Sequence, residues 1–256
     1  MWHYPRIDPV ALQLGPVAIH WYALSYLVGI GVVWWLLKRN KGDAWTDEQI
    51  SDLIFYGVLG IVVGGRLGYM LFYGYSALLE NPLSLLKVWQ GGMSFHGGML
   101  GVITAVYLYA RKHNRRFLEI GDFIAPSVPL ALGSGRIGNF INGELPGRIA
   151  DVPWAVIYPG DTLGRHPSSL YQALLEGPVL FAALWLFTRK PRPLMAVSGF
   201  FLTGYGSLRV LSEFFREPDQ HMGFIAFGWI TAGQLLSLPM VIIGGAFLVY
   251  GYRRQQ

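Results

Sequence analysis

The sequence contains no cysteine among its 256 residues. This absence excludes a disulfide framework and a thiol nucleophile that belongs to the chain itself. Any thiol chemistry must therefore use a thiol from a partner. The six histidines are dispersed, without a pair at the i, i+4 spacing that a helical zinc motif requires. We expect neither a metal nor an organic cofactor.

Charged residues are also scarce. They make up 14% of the chain, whereas hydrophobic residues make up 53%, and an ordinary soluble domain carries about 25% charged residues. Several apolar stretches of roughly 20 residues follow one another, each long enough to cross a bilayer core of about 30 Å as a helix. The opening residues lack a basic region before the first apolar run, which predicts a retained span and not a signal peptide. The composition predicts one polytopic membrane domain over residues 1–256.

The apolar segments predict an all-α integral membrane protein with about seven transmembrane helices. The predicted spans are residues 16–37, 50–73, 93–110, 119–137, 168–188, 194–214 and 226–250. Most basic residues fall in connections 38–41, 111–116 and 189–192 and at 253–254. Because basic residues accumulate on the cytoplasmic side, we expect the N-terminus outside and the C-terminus in the cytoplasm. This topology explains the net charge of +5 and argues against nucleic-acid binding.

The longest segment between predicted spans, residues 138–167, is rich in Gly, Pro, Asn and Asp. A connection of this length in a compact protein is usually functional or disordered. The run "VPWAVIYPG" at 152–160 favours short strands and hence an ordered segment. We expect a small cap on the outer, periplasmic face.

The second predicted span carries glycine at positions 60, 64 and 68, on one face of a helix. Small residues at this spacing let two membrane helices approach closely. We interpret these glycines as a packing surface and not as a ligand site.

Ionisable residues inside membrane segments are costly and often mark function. Arg66, His96, Arg136, Arg209 and Glu213 share one depth near the outer ends of their predicted spans. A lone histidine on an apolar helix is more often a buried structural residue. Glycines at 91, 92, 97 and 98 surround His96, and we interpret them as space for a substrate.

The stretch "GSGRIGNFINGELPGR" at 133–148 contains G-x-G-x-x-G, the spacing of a dinucleotide-binding turn. That turn requires a preceding strand, whereas here an apolar segment interrupted by proline precedes the glycines. Backbone near the glycines, with Arg136 and Arg148, would still suit an anion. A lipid phosphate and a soluble anion fit the charges equally well. Asn139, Asn142 and Glu144 add hydrogen-bonding and acid–base capacity.

The segment "GRIGNFINGELPGR" at 135–148 resembles the signature of the prolipoprotein diacylglyceryl transferases, integral enzymes of the bacterial inner membrane. Further matching segments lie at 19–29, 64–73, 91–101, 166–177 and 204–219, so the resemblance covers nearly the whole chain. It implies transfer of the diacylglyceryl group of phosphatidylglycerol to the lipobox cysteine thiol of a prolipoprotein signal peptide, with release of glycerol phosphate. It also implies a multi-pass protein of the inner membrane, with its active site towards the periplasm.

Motif positions in this family imply the candidate residues. The catalytic candidates are His96, Arg209 and Glu144, and the substrate-binding candidates are Arg136, Asn139, Tyr22, Gly147, Glu213 and Arg66. The family motif H-P-[ST]-Q-L-Y-E is altered here, because Ser169 and Gln172 occupy its last polar positions. We therefore leave that segment out of the catalytic set.

The identity of the general base stays open at this point. Neutral imidazole of His96 can accept a thiol proton, since an unperturbed histidine has a pKa of about 6.5. Glu144 or Glu213 can equally act as the base or only orient an arginine. The alternative function is a transporter or channel for an anionic solute, which would use the same arginines in a water-filled pathway. A seven-helix receptor is disfavoured by the Gly-rich loops and by arginines gathered at one face.

Overall fold

The computed structural model describes residues 1–15, 17–218 and 223–254, which are mostly helical. The chain forms two compact units, one of residues 1–36 and 121–256 and the other of residues 37–120. The helices are α1 (Trp21–Arg39), α2 (Asp47–Phe72), α3 (Tyr75–Glu80), α4 (Phe95–Lys112), α5 (Phe117–Ile124), α6 (Val128–Ile141), α7 (Ser168–Leu174), α8 (Leu180–Phe187), α9 (Ala196–Glu213) and α10 (Ala232–Arg253). The strands are β1 (Trp2–His3), β2 (Val10–Leu14), β3 (Val17–His20) and β4 (Val156–Ile157). Pro16, the first residue of a predicted span, and Asp219, the last residue of the segment 204–219, lie outside the described residues.

Within the described residues, four helical segments are long and apolar enough to cross a membrane. They are α1, α2, the continuous segment Ser168–Phe187 and α10. The chain is therefore a mostly helical membrane protein, as its composition predicts. The region of the predicted fourth span is divided between α5 and α6. The count of seven spans stays a prediction.

Two predicted spans begin later in the structure than the hydropathy suggests. Helix α1 starts at Trp21 and not at residue 16, because β2 and β3 form an antiparallel hairpin before it, with Leu14 opposite Val17. Helix α10 starts at Ala232 and not at residue 226. Its start is set by a capping box, in which Thr231 and Gln234 bond each other's backbone N–H groups at 3.0 and 3.2 Å. Apolar character alone does not reveal either signal.

Proline interrupts the predicted fourth span, and the helix after the break is longer than expected. Helix α5 ends at Ile124, just before Pro126, and α6 continues to Ile141, beyond the predicted end at residue 137. The three glycines of the G-x-G-x-x-G pattern lie inside α6 and not in a turn after a strand. This placement confirms that the resemblance to a dinucleotide turn is accidental.

In the unit of residues 37–120, α2 and α4 pack through facing glycines. A Cβ atom added to Gly60 would lie 2.6 Å from the carbonyl oxygen of Gly101, and one added to Gly64 would lie 2.4 Å from that of Gly97. A Cβ atom added to Gly68 would lie 2.8 Å from the Cα atom of Gly97. The predicted packing surface on the second span is confirmed. From the sequence, we interpret Gly97 as part of a space for a substrate. In the structure, the backbone of α2 occupies the space next to Gly97.

This contact makes a matched pair of substitutions informative. Gly64→Ala should lower the thermal stability of the purified protein, because its methyl group would meet backbone that has no room to shift. Gly57→Ala in the same helix meets nothing within 4 Å and should be neutral or stabilising, by up to about 1 kcal/mol. Thermal unfolding in detergent measures both. Equal melting temperatures for the two variants would contradict the tight α2–α4 contact.

The unit of residues 1–36 and 121–256 also relies on close backbone contacts. Gly199 and Gly206 of α9 pack against α10 near Gly244 and Ser237. An apolar cluster that includes Leu180, Leu184 and Val197 forms the adjoining core. These contacts hold α9, which carries several polar residues at its C-terminal end.

The segment after α6 is folded, as its composition predicts. Strand β4 pairs in parallel with β1, and Ile149 and Arg165 form an antiparallel bridge. The Tyr4 hydroxyl donates to the carbonyl oxygens of Phe140 and Ile141 at 2.8 and 2.7 Å. The N-terminal residues therefore contact the C-terminal end of α6, where the carbonyl groups of Gly138, Asn139 and Phe140 also accept from the backbone N–H groups of residues 142–144.

Candidate active site

Arginine and glutamate side chains from α6, α9 and the segment between α7 and α8 form one buried ion cluster. The fully buried carboxylate of Glu176 lies between two arginines: its Oε2 is 3.0 Å from Arg136 Nε and its Oε1 is 3.6 Å from Arg209 Nη1. Arg209 also contacts Glu213, through Nη2 and Oε1 at 2.5 Å. The pattern of alternating charges therefore crosses three helical segments.

The far end of the cluster is anchored by two further groups. Arg216 Nη1 lies 3.2 Å from Glu213 Oε1, and the Thr231 hydroxyl donates to Glu213 Oε2 at 2.7 Å. The loop before α10 thus contributes a hydrogen bond to the same carboxylate. Glu213 has both of its oxygens occupied, and it positions two arginines at once.

The backbone around Glu176 explains how the carboxylate reaches the arginines. Residues Leu175–Val179 form a π-helical turn that contains Pro178, which has no N–H for a helical bond. Next to this turn, a Cβ atom on Gly133 would lie 3.0 Å from the Cα atom of Gly177. Paired glycines therefore let α6 approach the turn closely, which brings Arg136 next to Glu176.

The cluster leaves one guanidinium donor unused. Arg209 Nη1 lies 3.6 Å from Glu176 Oε1, and within the described residues it makes no hydrogen bond. Removing ions from water costs several kcal/mol each, and such groups inside membrane segments usually serve a function. A guanidinium group with an unused donor suits an anionic ligand such as a phosphodiester.

Three predicted residues form a second polar group beside the cluster. Asn139 donates from Nδ2 to Glu144 Oε2 at 2.8 Å, and Asn142 donates to Glu144 Oε1 at 3.2 Å. The Tyr22 hydroxyl lies beside Asn139 and is 3.1 Å from the hydroxyl of Tyr26. Asn139 follows Arg136 by one turn of α6. The structure therefore brings Tyr22, Asn139 and Glu144 together on the helix that carries Arg136.

Curated relatives and a family model match almost the entire chain. A model described as prolipoprotein diacylglyceryl transferase matches residues 9–250. The chain belongs to this family. A protein of Coxiella burnetii named "Phosphatidylglycerol--prolipoprotein diacylglyceryl transferase" is 54% identical over 260 residues, which cover 100% of both chains. Proteins of the same name from Azotobacter vinelandii and Pseudomonas aeruginosa are 54% identical over 98% of this chain, and cover 97% and 96% of their own lengths.

Glu176 is the main residue of the site that sequence reasoning misses in this family member. It lies in the matching segment at 166–177, which we left out because of Ser169 and Gln172. An acidic residue in the apolar run "LYQALLEGPVLF" is itself a signal, since carboxylates inside membrane segments usually have a functional role. Tyr205, whose hydroxyl lies beside Arg136, is a second missed neighbour.

Arg66 and His96 lie in the unit of residues 37–120. The buried Arg66 donates to the carbonyl oxygens of Ser84, Leu85 and Gly92 at 2.6, 3.1 and 3.2 Å, and it also bonds that of Gly91. Its guanidinium therefore fixes the connection between α3 and α4. His96 is exposed on the first turn of α4.

Gly147 sits where three backbone segments meet. Its N–H donates to the His166 carbonyl oxygen at 2.9 Å. A Cβ atom there would lie 2.3 Å from that oxygen and 2.5 Å from the carbonyl oxygen of Phe215. The requirement for glycine is thus explained by packing between the segment 146–148 and the end of α9. This packing holds the segment 146–148 against α9, the helix that carries Arg209 and Glu213.

Gly147→Ala should therefore disturb both stability and activity, because the methyl group would push the segment 146–148 away from the end of α9. We expect thermal unfolding in detergent to show a lower melting temperature. Size exclusion in detergent should show a lower yield of folded protein. Gly31→Ala in α1 is the control, since its Cβ atom meets nothing within 4 Å. A Gly147→Ala variant as stable as Gly31→Ala would show that the backbone crossing has room to relax.

Two titratable groups of the segment between α6 and α7 have pKa values shifted by burial. Burial raises the pKa of the Tyr158 hydroxyl to about 12, and it lowers the pKa of the His166 imidazole. Both groups are therefore neutral at pH 7. The His166 Nδ1 atom lies 3.0 Å from the Tyr171 hydroxyl, which also accepts from the Trp154 indole N–H at 2.6 Å. This network fixes the start of α7 without adding charge next to the ion cluster.

Proposed function

We propose that the chain transfers the diacylglyceryl group of phosphatidylglycerol to the lipobox cysteine thiol of prolipoproteins and releases glycerol phosphate. Membership of the family and the printed name of its relatives support this function. The single structural observation that carries it is the buried carboxylate of Glu176 between Arg136 and Arg209, with Arg209 Nη1 making no hydrogen bond among the described residues. A guanidinium group with an unused donor suits the phosphodiester of the donor lipid.

The reaction replaces a carbon–oxygen bond by a carbon–sulfur bond. The thiol sulfur attacks the glycerol carbon that carries the phosphate ester, and the thiol proton passes to a base. The ester carbon–oxygen bond breaks, and its electron pair leaves with glycerol phosphate. Arg136 and Arg209 stabilise the negative charge that grows on this leaving group, through charge-assisted hydrogen bonds in a site of low dielectric constant. The chain needs no cysteine because the acceptor supplies the sulfur.

His96 stays a catalytic candidate on its position in the family motif alone, because neutral imidazole can accept a thiol proton. Glu213 is better suited to positioning, since Arg209, Arg216 and Thr231 occupy its oxygens. Glu144 is exposed and accepts from two asparagines, which suits a role in arranging Asn139 beside the lipid.

The remaining predicted residues divide into two roles in this proposal. Arg136, Asn139 and Tyr22 contact the lipid headgroup. Arg66 and Gly147 act indirectly, because their contacts are with backbone.

We further propose a topology with seven spans over the whole polytopic domain 1–256. The N-terminus lies outside and the C-terminus lies in the cytoplasm of a bacterium, with the protein in the inner membrane. Residues 138–167 form a periplasmic cap, and the active site faces the periplasm. The distribution of basic residues supports this orientation.

The direct test supplies purified protein in detergent with phosphatidylglycerol and a lipobox peptide. We expect mass spectrometry to detect a diacylglyceryl thioether on the peptide, and no adduct on the same peptide with serine in place of cysteine. Folded protein that forms no adduct, but moves anionic solutes across liposomes, would refute the transferase and favour a transporter.

A further inference from the structure

A row of polar side chains runs along one face of the segment that leads from α7 into the π-helical turn. Ser169, Gln172 and Glu176 are separated by three and four residues, which places them on the same helix face. All three are completely buried. The row ends at the carboxylate that holds Arg136 and Arg209.

Gln172 differs from its polar neighbours because its carboxamide has no partner. Ser168, also fully buried, donates its hydroxyl proton to the Leu145 carbonyl oxygen at 2.6 Å. Among the residues that the structure describes, neither Nε2 nor Oε1 of Gln172 makes a hydrogen bond, whereas the Ser169 hydroxyl lies beside that of Tyr158. Native proteins leave few buried polar groups unpaired, since each one costs free energy. Unpaired donors and acceptors here indicate a group that comes from outside the chain.

The position of Gln172 limits what that group can be. Residues four apart on a helix have Cβ atoms about 6 Å apart, so Gln172 lies within side-chain reach of an anion bound at the Glu176 arginines. A carboxamide donates and accepts but carries no charge. It therefore suits a hydroxyl group attached to that anion better than a second charged group.

We propose that Gln172 hydrogen-bonds the glycerol hydroxyls of the donor headgroup and makes the site selective for a phosphodiester that bears a polyol. The proposal rests on the proposed function and adds a residue that determines specificity for the donor lipid. Gln172 acts on binding of the leaving group and takes no part in breaking the ester bond.

The test compares two donors of equal charge: phosphatidylglycerol and phosphatidylpropanol, whose three-carbon headgroup lacks hydroxyls. Initial rates of thioether formation on the lipobox peptide are measured by mass spectrometry. We expect the unaltered protein to prefer phosphatidylglycerol by about tenfold or more, since a site built to bond hydroxyls rejects an analogue without them. In Gln172→Leu the preference should fall to about twofold, because the rate with phosphatidylglycerol drops more than the rate with phosphatidylpropanol.

Ser168→Ala provides the matched control, because it removes a buried hydroxyl from the same helix that already has a partner. It should leave the preference intact even if it lowers the melting temperature. If Gln172→Leu does not fold, Gln172→Met, which is closer in length, gives the same readout.

If Gln172→Leu lowered the rates of transfer from both donors equally and kept the preference, the proposal would be overturned. Gln172 would then be a packing residue. Absence of any preference in the active, unaltered protein would also overturn it. No transfer from either lipid by the unaltered protein would instead refute the proposed function, and this inference with it.

Discussion

Glu176→Gln is expected to abolish detectable diacylglyceryl transfer and to lower the free energy of unfolding by about 3–5 kcal/mol, the cost of removing one partner from a buried ion pair. The neutral amide would leave Arg136 and Arg209 without the carboxylate that lies 3.0 and 3.6 Å from them. The two guanidinium groups would then repel each other, because no carboxylate would lie between them. Thermal unfolding in detergent and the peptide assay measure the two effects separately.

Glu217→Gln is the matched control for this change. Glu217 also pairs with an arginine, Arg165, at 3.5 Å, but its side chain is 48% exposed. Loss of an exposed pair changes stability by less than about 1 kcal/mol, so we expect near-normal melting and transfer. If Glu176→Gln behaved like Glu217→Gln, the carboxylate would not be what holds the two arginines in place.

Arg209→Ala should reduce the rate of transfer at saturating phosphatidylglycerol by about 10²–10³-fold, the usual effect of removing one group that stabilises developing negative charge. Arg209 contacts Glu176 and Glu213 together, and its Nη1 atom makes no hydrogen bond among the described residues. We expect Arg136→Ala to abolish transfer in the same assay, with expression of both variants near normal.

Arg209→Lys separates charge from geometry. Lysine keeps the positive charge but loses the planar fork that contacts two carboxylates at once, so we expect little recovery of the rate. Arg189→Ala, which removes a cation over the Trp185 ring at 4.0 Å, should retain full activity. If the proposed cap of residues 138–167 only covers the site, Arg148→Ala should keep its transfer activity. Full activity in both Arg136→Ala and Arg209→Ala would refute the phosphate-binding role of the cluster.

Local patterns in the sequence predict the features of the fold that depend on one segment at a time. The spacing of Gly60, Gly64 and Gly68 predicts a close helix contact, and α4 supplies it. The run at 152–160 predicts short strands, and β4 forms there. In both cases the relevant spacing lies within a single helix or strand.

Contacts between distant segments are what the sequence does not show. Glu176 enters the site only because a π-helical turn and the glycine pair at 133 and 177 bring α6 close to it. Arg66 has the depth of a substrate-binding residue, yet its guanidinium contacts carbonyl groups 18 to 26 residues further along the chain. Position in the predicted spans therefore selects candidate residues, but only tertiary contacts show which groups each arginine holds.

The pairing of β1 with β4 has a consequence for the order in which the protein assembles during synthesis. The bonds from Tyr4 to Phe140 and Ile141 span 136 and 137 residues, and β1 has no partner until residues 156–157 have been made. The first residues of the chain can pair only after more than half of the chain has been synthesised. Closing so long a loop is entropically unfavourable and slow. The bonds from Tyr4 to the end of the helix that carries Arg136 therefore form only late in synthesis.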